Sequence, residues 1–405
     1  MADILIIGGG AAGLAAAICA KRQNGSLRVL VLEAQDRVGK KLLVTGNGQC
    51  NITNKNISVK AYHGKDAAFC APILNTSQTV PFFASLGVDI VYTPSGKAYP
   101  RSFQASAVVD ALRFAAEEAG VEVLCGQTVT ALQQTAGGFT VTAGKTYKAK
   151  AVIVATGSPA GGKIGSDSGY KLLKSLGHRL VEPKPAIVQI KTPTDWVRQL
   201  KGVKVDAAVT LLCGGKAARQ EVGEVLFCDY GLSGPPVLQV SRLVGQGKPC
   251  TVSLDFCPDM AEDVLKATLQ KRVKVLQNRT LMEFLNGFLN KRLGQVLLKY
   301  AGFTLSAPVG TLSGQDCAKI AAAIKGFALP ATGTTGFANA QVAAGGIATA
   351  DFSAETLMSK TTRGLFAAGE VLDIDGDCGG FNLEWCWSGG ALAGRSAANY
   401  VGKGK

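Results

Sequence analysis

Near its start the chain runs for seventeen residues, Ile4 to Ala20, without a charged or strongly polar side chain, and the pattern changes inside that run. Asp3 to Ile7 has the unbroken apolar character of a strand buried on both faces. Glycines at positions 8, 10 and 13 mark a turn, Ala11 to Asn24 reads as a helix, and Arg28 to Leu32 reads as a returning strand. The run imitates a membrane span only in hydropathy. Spanning needs about 20 apolar residues, this run carries four glycines, and Asp3 stands where a leader would place a positive charge. A soluble, cytoplasmic protein is expected, with no membrane partner.

Further along, Lys40 to Asn54 is polar and glycine-rich, and helical stretches follow near Ala67–Leu86 and Ala105–Ala119. Val121 to Lys148 alternates as short strands, with turns at residues 136–138 and 143–145, and leads into the apolar strand Ala151 to Gly157. After Pro183 and Pro185 the pattern is β-rich to about residue 257, with strands near Val205–Leu212, Glu224–Phe227 and Thr251–Phe256 and turns at 213–215 and 234–236. The period then changes to helical. Pro258 to Glu262 predicts a helix start, and Thr280 to Glu283 repeats the signal. Leu265, Leu269 and Leu276, and then Leu281, Phe284, Leu285 and Phe288, mark two buried faces. A helix at Gly314–Lys325, a strand through Phe327, an apolar strand over Gly364–Glu370 and a final helix from Phe381 to Tyr400 complete the pattern.

The first unit carries chemistry. Gly8 permits the tight turn, Gly10 lets backbone approach a pyrophosphate, and Gly13 lets helix pack on strand, while the helix N-terminus offers unpaired N–H groups to phosphate oxygens. Glu33 ends the returning strand twenty residues after Gly13, placed to accept hydrogen bonds from ribose hydroxyls. A carboxylate there repels a 2′-phosphate, which favours FAD or NAD over NADP. The small residues Ser388, Gly389, Gly390 and Gly394 suit the last helix to close packing, and its N-terminus, carrying about half a positive charge, suits an anionic reduced flavin ring.

Composition narrows the field. A chain of 405 residues with 47% hydrophobic content can bury a large core and divide into two or three domains. Eleven cysteines without a C-x-x-C pair argue for reduced thiols and against a zinc site or a dithiol reductase, and two histidines argue against a His-rich metal centre. No metal is expected. The net charge of +14 is mostly spread, but Lys266, Lys271, Arg272, Lys274, Arg279, Lys291, Arg292 and Lys299 face only Glu262, Asp263 and Glu283. That excess fits an anionic substrate; a dedicated nucleic-acid surface is not expected.

Residues 45–54 (TGNGQCNITN), 155–157 (ATG), 165–170 (GSDSGY), 176–178 (LGH), 343–346 (AAGG), 369–375 (GEVLDID) and 379–382 (GGFN) together resemble the BaiN/RdsA family of NAD(P)/FAD-dependent oxidoreductases, nearly end to end. The resemblance implies an α/β protein whose Rossmann-like FAD-binding domain is built from both chain ends, residues 1–186 and 338–405. It also implies a β-rich substrate domain, residues 187–257 and 306–337, and a small helical insertion, residues 258–305. Motif and resemblance together give a cofactor-binding set. Its members are Gly8, Gly10, Ala11, Ala12, Gly13, Glu33, Lys41, Thr45, Gly46, Asn47, Asn51, Val129, Ala155, Thr156, Gly157, Gly369, Glu370, Gly379, Gly380, Phe381 and Asn382. Asn51, Glu384 and Trp385 are the catalytic candidates. The family usually has Arg at the position of Gln49 and Thr at that of Ala344, so polar contacts made by those residues are missing here.

Family members include a 3-dehydro-bile-acid Δ4,6-reductase and a protein similar to an aminoacetone oxidase. The expected activity is reduction of the C=C bond of an α,β-unsaturated ketone, a 3-oxo-Δ4 bile acid or steroid-like molecule with an anionic group. Only one dinucleotide fingerprint is present, so NAD(P)H is expected as a transient electron donor over the flavin. Alternatives are a flavin amine oxidase acting on a small amine, a flavin-containing nucleic-acid-modifying protein, and a non-catalytic FAD-binding protein.

Overall fold

A computed structural model describes residues 1–402, which fall into two compact units: Met1–Pro185 with the segment from Phe337 onwards, and Ala186–Gly336. The first unit is organised by a parallel sheet in the order Glu122–Leu124, Val29–Leu32, Ala2–Ile7, Lys145–Val154, Leu365–Ala367. Every residue from Ile4 to Ile7 and from Val29 to Leu32 is buried, which is why these strands read as continuous apolar runs. The strand Lys145–Val154 does two jobs. Its first half closes an antiparallel meander with Gly138–Ala143 and Ala131–Thr135, and its second half lies between the first strand and Leu365–Ala367.

The helix Ala11–Gln23 packs against the helix Phe381–Gly402, and small residues let the two backbones approach. A Cβ on Gly390 would stand 2.3 Å from the Ala12 carbonyl oxygen, and one on Gly394 2.1 Å from that of Ala16. The opposite ends of the chain are thus joined in one core, with Trp385, Trp387 and Phe83 among its largest buried side chains.

The second unit holds a seven-stranded sheet in the order Phe327–Ala331, Cys250–Asp255, Lys204–Cys213, Lys216–Cys228, Gly231–Ser233, Ile190–Lys191, Gly333–Thr334. Leu265, Leu269, Leu297 and Ile320 from its helices share one core with Phe227, Val252 and Phe327 of the sheet. Residues 258–305, set apart in the sequence as an insertion, contribute a helical layer on that core.

Local boundaries differ from the sequence reading in four places. The helix expected from Pro258 begins at Glu262, and no side chain caps it. The signal at Thr280 yields only the single turn Leu281–Phe284, cut short before Gly287 at φ 73°. The longer helix there is Lys291–Tyr300, where the Asn290 side chain accepts from the Arg292 and Leu293 amides. Gly234-Pro-Pro236, read as a turn, opens the helix Pro235–Val240, because proline is tolerated in a first turn. The stretch Ala67–Leu86 is broken into the short helices Ala71–Asn75 and Thr79–Ala84 behind a 3-10 turn.

Candidate functional site

The three fingerprint glycines have different constraints. At Gly8, φ is 106° and a Cβ would lie 2.5 Å from the Ala155 carbonyl oxygen; at Gly13 it would lie 1.9 Å from that of Gly8. These two are demanded by the protein's own packing. Gly10 is not: φ is −83°, and a Cβ would meet nothing within 4 Å. It faces open space at the N-terminus of a helix whose first residues are Ala11 and Ala12, the position where a phosphate would be received. Glu33 closes the same turn. Its two oxygens accept from the Gly9 and Gln35 amides, each at 2.7 Å.

Ala155, Thr156 and Gly157 follow the strand Lys145–Val154 and reach the same turn, with the Ala155 amide donating to Ile7 O at 2.8 Å. Val129 is buried just before the meander. Lys41 Nζ and Glu370 Oε2 are 2.6 Å apart, joining two expected cofactor residues 329 positions apart. Gly369, at φ 76°, precedes that carboxylate.

The segment from Thr45 to Asn51 is wound tightly. Gly46, Asn47 and Cys50 all have φ between 55° and 57°, and for the two residues with a Cβ this left-handed geometry is a local cost carried by the surrounding fold. Thr45 Oγ1 anchors the start of the loop by donating to Leu42 O at 2.7 Å. At its end Asn51 is buried beneath Gly380, where a Cβ would lie 2.9 Å from Asn51 Oδ1 and 2.3 Å from Thr53 O. Asn54 Nδ2 donates to Gly379 O at 2.7 Å. The structure therefore brings Asn51 together with Gly379, Gly380 and the first turn of the last helix, which Phe381 opens.

Three buried side-chain oxygens have no hydrogen-bond partner among the described residues: Asn51 Oδ1, Thr156 Oγ1 and the Tyr170 hydroxyl. Buried polar atoms are seldom left unpaired. Two of these belong to the expected set, and together with the space at Gly10 they fit a bound dinucleotide. The sequence reading missed Tyr170, although a phenol among the buried positions Gly169, Leu172 and Leu173 was a signal. Burial, with Glu370 and Asp373 nearby, pushes its hydroxyl up, so it remains a neutral donor.

Other sequence candidates are hydrogen-bonded within the fold. The Asn382 amide donates to Gly376 O and Asp377 O and accepts from the Gly376 amide, fastening that loop. Glu384 is 2% exposed and is surrounded by the hydroxyls of Thr53, Ser77, Thr79 and Ser388 at 2.5 to 2.8 Å. Trp385 is buried, with Nε1 donating to Gly369 O at 3.1 Å; Trp387 likewise donates to Ile52 O. The polar atoms of the catalytic candidates Glu384 and Trp385 are thus engaged by neighbours inside the fold. Of the three, only Asn51 keeps a free acceptor. Gln49 is exposed and Ala344 buried.

The helical face of the second unit carries a groove of about 540 Å³ lined by Lys271, Arg272 and Arg279 against the single carboxylate Glu283. Arg272 is committed to the carbonyls of Phe284 and Asn286, and Arg292 to those of Gln199 and Lys201, so part of the basic excess is structural.

The chain is 39% identical over 98% of its length to the 3-dehydro-bile acid delta(4,6)-reductase of Clostridium scindens, covering 99% of that protein. It is 28% identical to the ribosomal RNA dihydrouridine synthase of Escherichia coli, over 95% of each chain. The 3-ketosteroid-delta4-(5alpha)-dehydrogenase of Rhodococcus jostii RHA1 shares the fold, with a TM-score of 0.50 at 17% identity over 99% of this chain and 96% of that one. The chain is an oxidoreductase by its relatives. Residues 2–396 match the family described as HI0933-like protein Rossmann domain, and the chain belongs to that family.

Proposed function

We propose that the chain is an FAD-dependent reductase of a carbon–carbon double bond conjugated to a carbonyl, acting on a 3-oxo-Δ4 bile acid or similar flat steroid with an anionic tail, with NAD(P)H as the electron source. The observation that carries this reading is the near full-length identity to a bile acid reductase, on a site with space at Gly10 and an unpaired buried amide oxygen at Asn51. Bound FAD supplies hydride transfer between the nicotinamide and the β-carbon of the enone.

The chain's residues bind and orient. The amides after Gly10 and the positive end of the first helix receive the pyrophosphate, and Glu33 receives the adenosine ribose. Lys41 and Glu370 would share the ribityl region, Glu370 as acceptor and Lys41 as the charge that balances it. Thr156 and Tyr170 offer hydroxyls from the strand end and the following helix. Asn51, Gly379 and Gly380 would hold the ring edge, with the last helix directing its positive end toward charge that develops there. One hydride, two electrons with a proton, would come from NAD(P)H, leaving NAD(P)+, and a second proton from solvent, so that the enone gains two hydrogens and becomes a saturated ketone.

A second substrate reading is favoured by particular observations. Converting uridine to dihydrouridine also saturates a C=C bond conjugated to a carbonyl, the family includes ribosomal RNA dihydrouridine synthases, and the net charge is +14 with a basic groove on the second unit. A polyanionic substrate would use that face, and its binding would weaken steeply with salt.

Product analysis decides between them. Incubation with NAD(P)H and a 3-oxo-Δ4 bile acid should give a product heavier by two hydrogens, identified by mass spectrometry. Turnover of ribosomal RNA uridine with no bile acid product would transfer the assignment to the second reading, and oxidation of aminoacetone with peroxide formation would overturn both.

A further inference from the structure

A second cleft opens on the first unit, between the helix Ala11–Gln23, the helix Phe381–Gly402 and the short helices Ala71–Asn75 and Thr79–Ala84. It involves Cys19, Arg22 and Gln23, about 15 Å along the first helix from Gly10 at 1.5 Å per residue, so it is separate from the phosphate end of the cofactor site. Its volume is about 350 Å³. Pro81, Phe82 and Ala391 give it an apolar wall, and two guanidiniums, Arg22 and Arg395, give it charge.

No carboxylate lines this cleft. Arg22 donates to Ser85 Oγ at 3.0 Å and lies 5.5 Å from the centre of the Phe82 ring, and Arg395 rests against the Cys19 thiol. One hydroxyl, one ring and one thiol are the neighbours shown for the arginines, and none of these is the bidentate anion that matches a guanidinium. Beneath the cleft lies one negative charge, Glu384, with its oxygens taken up by four hydroxyls. Three of those hydroxyls, Ser77, Thr79 and Ser388, line the cleft. The balance is two positive charges at an open apolar pocket against one satisfied buried carboxylate.

We propose that this cleft binds a small organic anion, a carboxylate or phosphate ester on a single flat apolar ring, with Arg22 and Arg395 holding the charge and Phe82 and Ala391 packing the ring. Glu384 connects the cleft to the other site. Its Oε1 meets Ser77 and Ser388 at 2.5 and 2.7 Å, its Oε2 meets Thr53 Oγ1 at 2.5 Å, and Thr53 O lies directly under Gly380. A ligand that draws Ser77 or Ser388 toward itself alters the support of Gly380. This connection rests on the reading that FAD lies against Gly380; the anion site itself does not.

Calorimetric titration of the FAD-loaded protein with phenyl phosphate and with benzoate tests the site, with benzyl alcohol and inorganic phosphate as controls. Saturable one-to-one binding of at least one aromatic anion is expected, and the stronger arm identifies the head group. Arg395→Gln and Arg22→Gln should each weaken binding about tenfold or more, the loss of one charge-assisted contact. Ala391→Leu should abolish it by filling the cleft, and its melting temperature shows whether the fold is intact. Absence of saturable binding by either anion, or unchanged affinity in the Arg22→Gln/Arg395→Gln double variant, overturns the site. A shift in the flavin absorbance on titration supports the connection through Glu384, and binding without any shift overturns it. Absence of flavin absorbance before titration would count against the FAD reading alone.

Discussion

A carboxylate held by two backbone amides is oriented before any ligand arrives, and Glu33 is held in that way by Gly9 and Gln35. Its remaining lone pairs point to a role on the ribose. Losing such contacts costs about 1.5–3 kcal/mol, so Glu33→Ala should bind FAD about ten- to a hundredfold more weakly in equilibrium titration; unchanged affinity removes the residue from that role. His178 gives a pH prediction. Burial holds its imidazole below the ordinary value, with Nε2 2.9 Å from Ser359 Oγ and the ring stacked on Phe352. The unfolded chain takes up the proton near pH 6.5 and the folded chain only at lower pH, so stability falls as pH drops below that point. In His178→Gln the slope of melting temperature against pH should flatten as pH falls below about 6.5. An identical slope in wild type and variant would contradict the assignment. The place of Glu33 beside the glycine turn was legible because its spacing from Gly13 is local. The hydrogen bonds of Asn382, Glu384 and Trp385 were not, because their partners, Gly376, Ser77 and Gly369 among them, are chosen by tertiary packing.

At the scale of elements, two glycine substitutions separate cofactor binding from folding. Gly10→Ala adds a methyl group where no atom lies within 4 Å, at an ordinary φ, so the protein should fold normally and lose FAD affinity. Gly390→Ala adds the same methyl group 2.3 Å from Ala12 O, between two helices that cannot separate cheaply. Overpacking of this kind costs about 1–3 kcal/mol, and the melting temperature of the FAD-free protein should fall. If the Gly10 variant melts early while the Gly390 variant does not, the division of labour is wrong. Elements with local signals were legible: the first strand, turn and helix, and Gly314–Lys325, whose Ser313 and Asp316 form a reciprocal cap. Lys291–Tyr300 escaped because its signal was a lone asparagine, and Leu281–Phe284 was overextended because the apolar spacing continued into Gly287.

At the scale of the whole molecule, the two chain ends form one core, while the middle of the chain forms a unit with a core of its own. The resemblance anticipated the joined ends, and the parallel pairing of Lys145–Val154 with Leu365–Ala367 is the contact that realises it. Strand order in the middle unit was beyond periodicity, since Cys250–Asp255 lies between strands from residues 204–213 and 327–331. The +14 charge also belongs to this scale, and it is what keeps an RNA substrate beside the steroid. The most direct test is anaerobic. The FAD-loaded protein is reduced with NAD(P)H, mixed with a Δ4-3-oxo bile acid, and followed by flavin absorbance, with the saturated analogue as control. The account predicts rapid reoxidation by the enone and almost none by the analogue; reduced flavin left untouched by the enone would contradict it.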